Sequence, residues 1–288
     1  MTTLALLLVL IAAALHASWN YCVKRAGGGL PFVYLVGLII CALYIPVAGG
    51  YWLWRSPTLE WTAVLWIVGS GILKTGYSLF LQRSYRLGDF SLVYPLARGT
   101  GPLLSSLAAI ALLGERPTPL ALAGAALIIA AVFFLAGGTR LLHQDRAHLR
   151  SAINYGLGSG VFIAAYTLWD RHGVAGLVIA PLLYDAGTAV TQLILLTPFA
   201  LRRWPEVRTL WREQRRYAFG VALLSPTAYV LILTALSFTP VSYIAPAREV
   251  SIVIGAFIGA KVLKEADGRR RLWAAVAMAV GVIALALG

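Results

Sequence analysis

The sequence predicts an all-α integral membrane protein, with ten transmembrane helices built as two inverted five-helix repeats around a central cavity. Three observations lead there. Of the 288 residues, 60% are hydrophobic and only 12% charged, with a mean hydropathy of +0.80, which lies outside the range of soluble domains. The apolar runs between charge clusters number ten, and a hydrocarbon layer about 30 Å thick needs roughly 20 helical residues per run. Sliding the chain against itself by 150 positions superposes uncommon residue types without gaps.

In the first half the runs are 3–22, 30–54, 61–82, 89–113 and 118–138, and in the second 151–169, 174–201, 217–238, 241–262 and 270–287. The first run is followed by small residues, as a signal peptide is, but it lacks a basic lead and has a counterpart in the second half, so it is read as a helix. The polar link 139–150, with Arg140, His143, Asp145, Arg146, His148 and Arg150, separates an N-terminal repeat, 1–138, from a C-terminal repeat, 151–288. At the 150-residue shift Trp19 falls on Trp169, Pro31 on Pro181, Tyr34 on Tyr184 and Gly37 on Gly187. Further on, Ala97 and Arg98 fall on Ala247 and Arg248, and Glu115 falls on Glu265. Five spans per repeat make the two copies enter the bilayer from opposite sides, related by a pseudo-two-fold axis in the membrane plane.

A net charge of +13 would suggest nucleic acid for a soluble protein. Its distribution explains it otherwise, and no nucleic-acid partner is implied. Connectors after the odd-numbered spans, with Lys261 at the very end of the ninth span counted in, hold 18 of the 24 Lys and Arg residues, whereas the even ones hold only Arg55, Arg116 and Arg171. The positive-inside rule then makes the odd connectors cytoplasmic and both termini periplasmic, in a bacterial inner membrane. The basic segment Arg202 to Arg216 and the cluster Arg269, Arg270 and Arg271 lie inside near anionic headgroups. Cys22 and Cys41 sit in apolar surroundings without metal-type spacing and are read as packing residues; no cofactor or metal is expected.

Three basic residues remain within spans: Lys74, Arg98 and Arg248. A charge there costs at least about 2.5 to 3.5 kcal/mol on insertion scales and is a functional candidate by default. Arg98 lies about 14 Å along a helix from Asp89 at 1.5 Å per residue, close to the midplane, and Arg248 is its repeat partner. Either guanidinium could bind a substrate carboxylate bidentately or form an internal ion pair; for Arg248 the candidate partner is Asp185. Lys74, with Tyr77 one turn away, either faces a cavity or snorkels to an interface. Asp185 and Glu249 are the acids read as lying well within spans, and so the candidates for ion coupling or pairing. His16, Trp19 and Asn20 share one helical face and match Tyr166, Trp169 and Asp170; this face could line a cavity, or the tryptophans could belong to an interfacial belt. Tyr94, Tyr229 and Tyr243 are further lining candidates. Gly156, Gly158 and Gly160, and likewise Gly255 and Gly259, read as close-packing faces, and Glu115 and Glu265 as organisers of helix ends.

The segment Ser91 to Pro102 (SLVYPLARGTGP), followed by Leu113-Gly114-Glu115-Arg116 and Gly124-Ala125-Ala126-Leu127, resembles the signature of the drug/metabolite transporter superfamily, EamA type. The opening His16-Ala17-Ser18-Trp19-Asn20 with Lys24 also resembles the first helix of one branch, and the duplicated layout covers the whole chain. The resemblance implies transport: export or exchange of small metabolites, amino acids foremost, aromatic or other hydrophobic ones among them. Carriage of phosphorylated or other anionic metabolites and drug efflux stay open beside it. A membrane-embedded enzyme would need a nucleophile and base or a metal cluster, and the sequence has no Gly-x-Ser-x-Gly, His-Glu-x-x-His or Cys-x-x-Cys. A channel is expected to show rings of like groups from several subunits; one pseudo-symmetric pair of halves points to a carrier working as a monomer in the bilayer on a small-molecule substrate.

Overall fold

The structure is a computed structural model describing residues 1–58, 60–87, 90–136, 146–254 and 268–288, without the side chains of 81–87, 90–99, 135–136, 146–153, 155–156 and 268–272. Among the described residues there are ten α-helices, a short helical piece at 250–254 beside them, and no strand. In chain order they are α1 Thr3–Ala26, α2 Leu30–Arg55, α3 Trp61–Leu87, α4 Phe90–Leu113, α5 Pro119–Ala136, α6 Arg146–Arg171, α7 Pro181–Leu201, α8 Trp204–Phe238, α9 Val241–Ala247 and α10 Gly268–Leu287. A π-helical turn, His172–Gly176, follows α6. Helices α1, α2, α7, α8 and the Trp61–Phe80 part of α3 are long and apolar enough to cross a bilayer.

Local chemistry sets the helix ends. The Thr2 hydroxyl caps α1 by accepting from the Ala5 N–H at 3.3 Å. Pro31, Pro181 and Pro205 sit in the first turns of α2, α7 and α8, where a missing N–H costs nothing. The reversal from α1 into α2 is made by Gly27, Gly28 and Gly29 at φ of 79°, 61° and 93°, a left-handed run that only glycine adopts without strain.

Much of the packing repeats the duplication, although the extensive α4–α6 contact has no α1–α9 counterpart of like extent among the described residues. Helix α1 lies on α8 as α6 lies on α3, and α2 lies on α8 as α7 lies on α3. The pairs α2–α7, α4–α9 and α5–α10 each join an element to its own counterpart. Exchanging the halves leaves these contacts unchanged, as a two-fold between repeats requires. The α5–α10 crossing is close: a Cβ added at Gly124 would lie 2.6 Å from the Gly281 carbonyl oxygen, and one at Gly281 2.8 Å from that of Gly124. Backbone cannot yield as a side-chain tip does. Gly124→Leu is therefore expected to cost at least about 1–3 kcal/mol, the range for overpacking, read as a lower thermal midpoint in detergent. Leu122→Ala, at an exposed site on the same helix, should barely move it.

Three boundaries differ from the sequence expectation. Helix α8 runs unbroken for 35 residues and absorbs most of the segment Arg202 to Arg216 that reads as a connector. Val207, Leu210, Trp211, Gln214 and Ala218 recur at helical spacing; Val207 and Ala218 are buried in a cluster with Leu35 and Ile39 of α2. Helix α6 starts at Arg146, inside the expected 139–150 link, and ends at Arg171 rather than 169. The ninth expected span, 241–262, is interrupted: α9 stops at Ala247, Arg248 and Glu249 form a turn, and helix resumes at 250–254, with 255–262 outside the described residues. Pro246, two residues before the break, leaves the Ser242 carbonyl without its helical N–H partner and so weakens this helix.

Candidate functional site

Four helices converge on one carboxylate. Asp170, in the last turn of α6, is completely buried. The Ser70 hydroxyl donates to its Oδ1 at 2.6 Å and the Tyr184 hydroxyl donates to the same oxygen at 2.9 Å. The Tyr229 hydroxyl donates to Oδ2, and Lys74 Nζ lies 3.1 Å from that oxygen. Ser70 and Lys74 are one turn apart on α3, Tyr184 opens α7, and Tyr229 comes from the middle of α8. A buried charge is tolerable only when paired and hydrogen-bonded, and Asp170 meets both conditions.

The packing around the cluster explains how the elements come so close. Gly173, in the π turn, has only hydrogen where the Tyr184 ring presses against it. Gly69 makes the same room for the Trp169 indole, whose N–H donates to the Trp66 carbonyl at 2.8 Å. Trp66 packs against both Trp169 and His172, with centroids 4.0 Å and 4.4 Å away and the rings tilted by 37° and 33°.

Beside the cluster lies a cavity of about 400 Å³, within the roughly 300–1,000 Å³ of small-molecule sites. Its wall carries His16, Trp19 and Asn20 from α1; Lys74 and Tyr77 from α3; and Tyr166 from α6. Asp185 from α7, Tyr229 from α8 and Arg248 complete the charged and aromatic part, and the cavity reaches Gly28 and Gly29 in the α1–α2 turn. Tyr229 stands at the centre: Lys74 Nζ lies 4.1 Å from its ring centroid and Arg248 Cζ 5.7 Å from it. The Trp19 indole N–H is buried with no hydrogen-bond partner among the described residues.

The structure thus gathers nine of the sequence candidates on one wall and leaves others off it. Lys74 does not snorkel to an interface; Asp170 pairs with it from within the bundle. The expected Arg248–Asp185 ion pair is not formed, and neither residue has an ion-pair partner among the described residues. Trp169 packs in the α3–α6 interface, away from the cavity. Tyr243 points to the far end of the bundle, its hydroxyl 3.5 Å from both the Thr118 N–H and the Gly288 carbonyl. Glu249 is buried and does not reach the wall. The side chains of Tyr94 and Arg98 lie outside the described residues, as does Glu265. The sequence reading ends the sixth span at 169 and so does not count Asp170 among the intramembrane acids, although it places Asp170 on the repeat-matched face opposite Asn20.

Glu115 organises a helix end in the opposite half: its two carboxylate oxygens accept from the Val241 and Ser242 N–H groups at 2.7 Å and 2.9 Å. Gly158 packs against Phe80, and Gly160 against Thr100 and the Gly101 backbone, as a close-packing face requires.

The profile of the EamA-like transporter family matches residues 3–137 and again residues 150–287. The chain belongs to the EamA-like transporter family. As an EamA-like chain it is a multi-pass membrane transporter, and the two matches are its two repeats. A solved crystal structure, described only as that of a protein, superposes on it with a TM-score of 0.77 over 98% of each chain, at 18% identity, and so shares the EamA-like fold. A comparison with curated proteins finds no match.

Proposed function

We propose that this EamA-like protein is an alternating-access transporter that exports or exchanges amino acids, with aromatic and other hydrophobic ones fitting its wall. The observation that carries the reading is the pair of opposite charges on the cavity wall, Arg248 and Asp185, neither engaged in an ion pair among the described residues. A zwitterion answers both, its carboxylate on the guanidinium fork and its ammonium on the acid. Trp19, Tyr77 and Tyr166 offer aromatic surface for an apolar side chain, and the unpartnered Trp19 N–H offers a donor. Arg98, the repeat counterpart of Arg248, is proposed as the carboxylate contact of the opposite-facing state, because exchange of conformation between inverted halves exchanges their equivalent residues.

The same reading puts the protein in a bacterial inner membrane as a monomer with both termini periplasmic, supported by the Lys and Arg bias among connectors. The α1–α2 turn, where the cavity ends at Gly28 and Gly29, then faces the cytoplasm.

The test is counterflow uptake of labelled amino acids and of phosphorylated metabolites into proteoliposomes, with Arg98→Ala and Arg248→Ala alongside. Saturable amino-acid uptake that both variants lose is the expected result. Uptake confined to phosphorylated cargo, or of neither class, sinks the amino-acid reading.

A further inference from the structure

A second recess lies away from the cavity, between the first half of α2 and the start of α8. The two helices are tied where the Tyr44 hydroxyl donates to the Leu223 carbonyl at 3.2 Å and meets the Thr227 hydroxyl at 2.6 Å. On the N-terminal side of that tie they leave a groove of about 550 Å³. Leu35, Ile39 and Leu43 of α2 form one wall, and Trp204, Val207, Trp211 and Phe219 of α8 the other. One charged residue lines it: Arg208. Trp204, Trp211 and Phe219 are exposed, so the groove opens on the perimeter of the bundle, where the bilayer is the solvent.

The charge around it has one sign. Between 202 and 216 there are six arginines, with only Glu206 and Glu213 as acids. Glu206 is already held by Arg203 through two bonds, Nε to Oε1 at 2.7 Å and Nη2 to Oε2 at 2.6 Å. Arg208 and, one turn on, Arg212 are exposed and have no ion-pair partner among the described residues. Trp204 and Trp211 are of the residue type that settles at headgroup level, with an apolar ring and a polar N–H. An apolar slot with one cation on its wall and a cationic field around it complements a single amphiphile: an alkyl chain that ends in a negative headgroup.

We infer that this groove is a binding site for an anionic phospholipid, one acyl chain lying between α2 and α8 and the phosphate on Arg208. The site is separate from the transport cavity; the two share no lining residue. It also gives the helical extension of α8 a role as the wall that turns a flat helix contact into a slot.

The experiment is native mass spectrometry of the detergent-purified full chain titrated with palmitoyl-oleoyl phosphatidylglycerol or with phosphatidylcholine of the same acyl chains. A basic residue at an anionic surface is worth roughly fivefold in binding, so wild type should retain the glycerol lipid about fivefold or more over the choline lipid. Arg208→Gln should bring the two close to parity, and Arg208→Lys should keep part of the difference. Arg55→Gln, at the other end of α2, should leave the preference intact. Ala42→Trp, which fills the groove from an exposed position, should lower retention of both lipids. An undiminished preference in Arg208→Gln, unchanged retention in Ala42→Trp, or competition by water-soluble glycerol phosphate would each overturn the assignment.

Discussion

Replacing Asp170 by alanine is expected to destabilise the protein by about 3–5 kcal/mol, the cost of leaving a buried charge without its partner, and to abolish uptake. Lys74, with a side chain only 12% exposed, would keep its charge beside the Tyr166 and Tyr229 rings and lose its ion-pair partner. Ser70 and Tyr229 would lose the acceptors their hydroxyls use. The double variant Asp170→Leu with Lys74→Met separates the two roles. Apolar replacement of both members of a buried pair is often neutral or better, so the thermal midpoint should recover in part. Uptake should not recover, because Tyr229 would lose both the bond that fixes its ring beside Arg248 and the Lys74 charge on its other contact. An Asp170→Ala protein with an unchanged midpoint would show that the network contributes no stability.

The second large effect concerns selectivity. Asp185→Asn is expected to raise the half-saturation concentration for amino acids by roughly 10- to 100-fold, the loss of one charge-assisted hydrogen bond in a desolvated site. For the corresponding amine-free acids it should leave that constant unchanged or lower it, since a wall acid repels a substrate without the ammonium. Arg248→Ala should raise it for both series, because both carry the carboxylate. Competition of each unlabelled series against labelled substrate in counterflow reads the difference. Equal weakening of both series by Asp185→Asn would remove Asp185 from the ammonium site.

Much of the architecture is legible in the sequence because a membrane leaves a chain few choices: apolar runs of spanning length, connectors sorted by charge, and two halves that still share Trp19 and Trp169 or Arg98 and Arg248. The charged residues within spans were legible as candidates for the same reason. Their partners were not. Which acid meets Lys74 depends on α6 running to Arg171 and on glycines at 69 and 173 letting Trp169 and Tyr184 close in, and hydropathy does not register either. Trp169 and Tyr243 show the converse. Aromatic residues near a midplane or a repeat match can equally fill a helix interface, and only the direction of each side chain separates the two. The amphipathic start of α8 was hidden by its arginines, which end an apolar run although the helical period continues through them.

The bonds from Glu115 to the first amides of α9 have a consequence for motion. Glu115 stands in the turn between α4 and α5, in one half of the duplication, and α9 opens the break in the other. A helix of seven residues has too few internal bonds to persist by itself. Its first turn is held by a carboxylate from the half it would have to slide past. A rearrangement that swings one half against the other must either break two charge-assisted bonds at once or carry α9 along with the α4–α5 turn. Where those bonds hold, the seam of flexing departs from the seam of ancestry: a short piece of the later copy moves with the earlier one, and Arg248, at the end of that piece, moves with it.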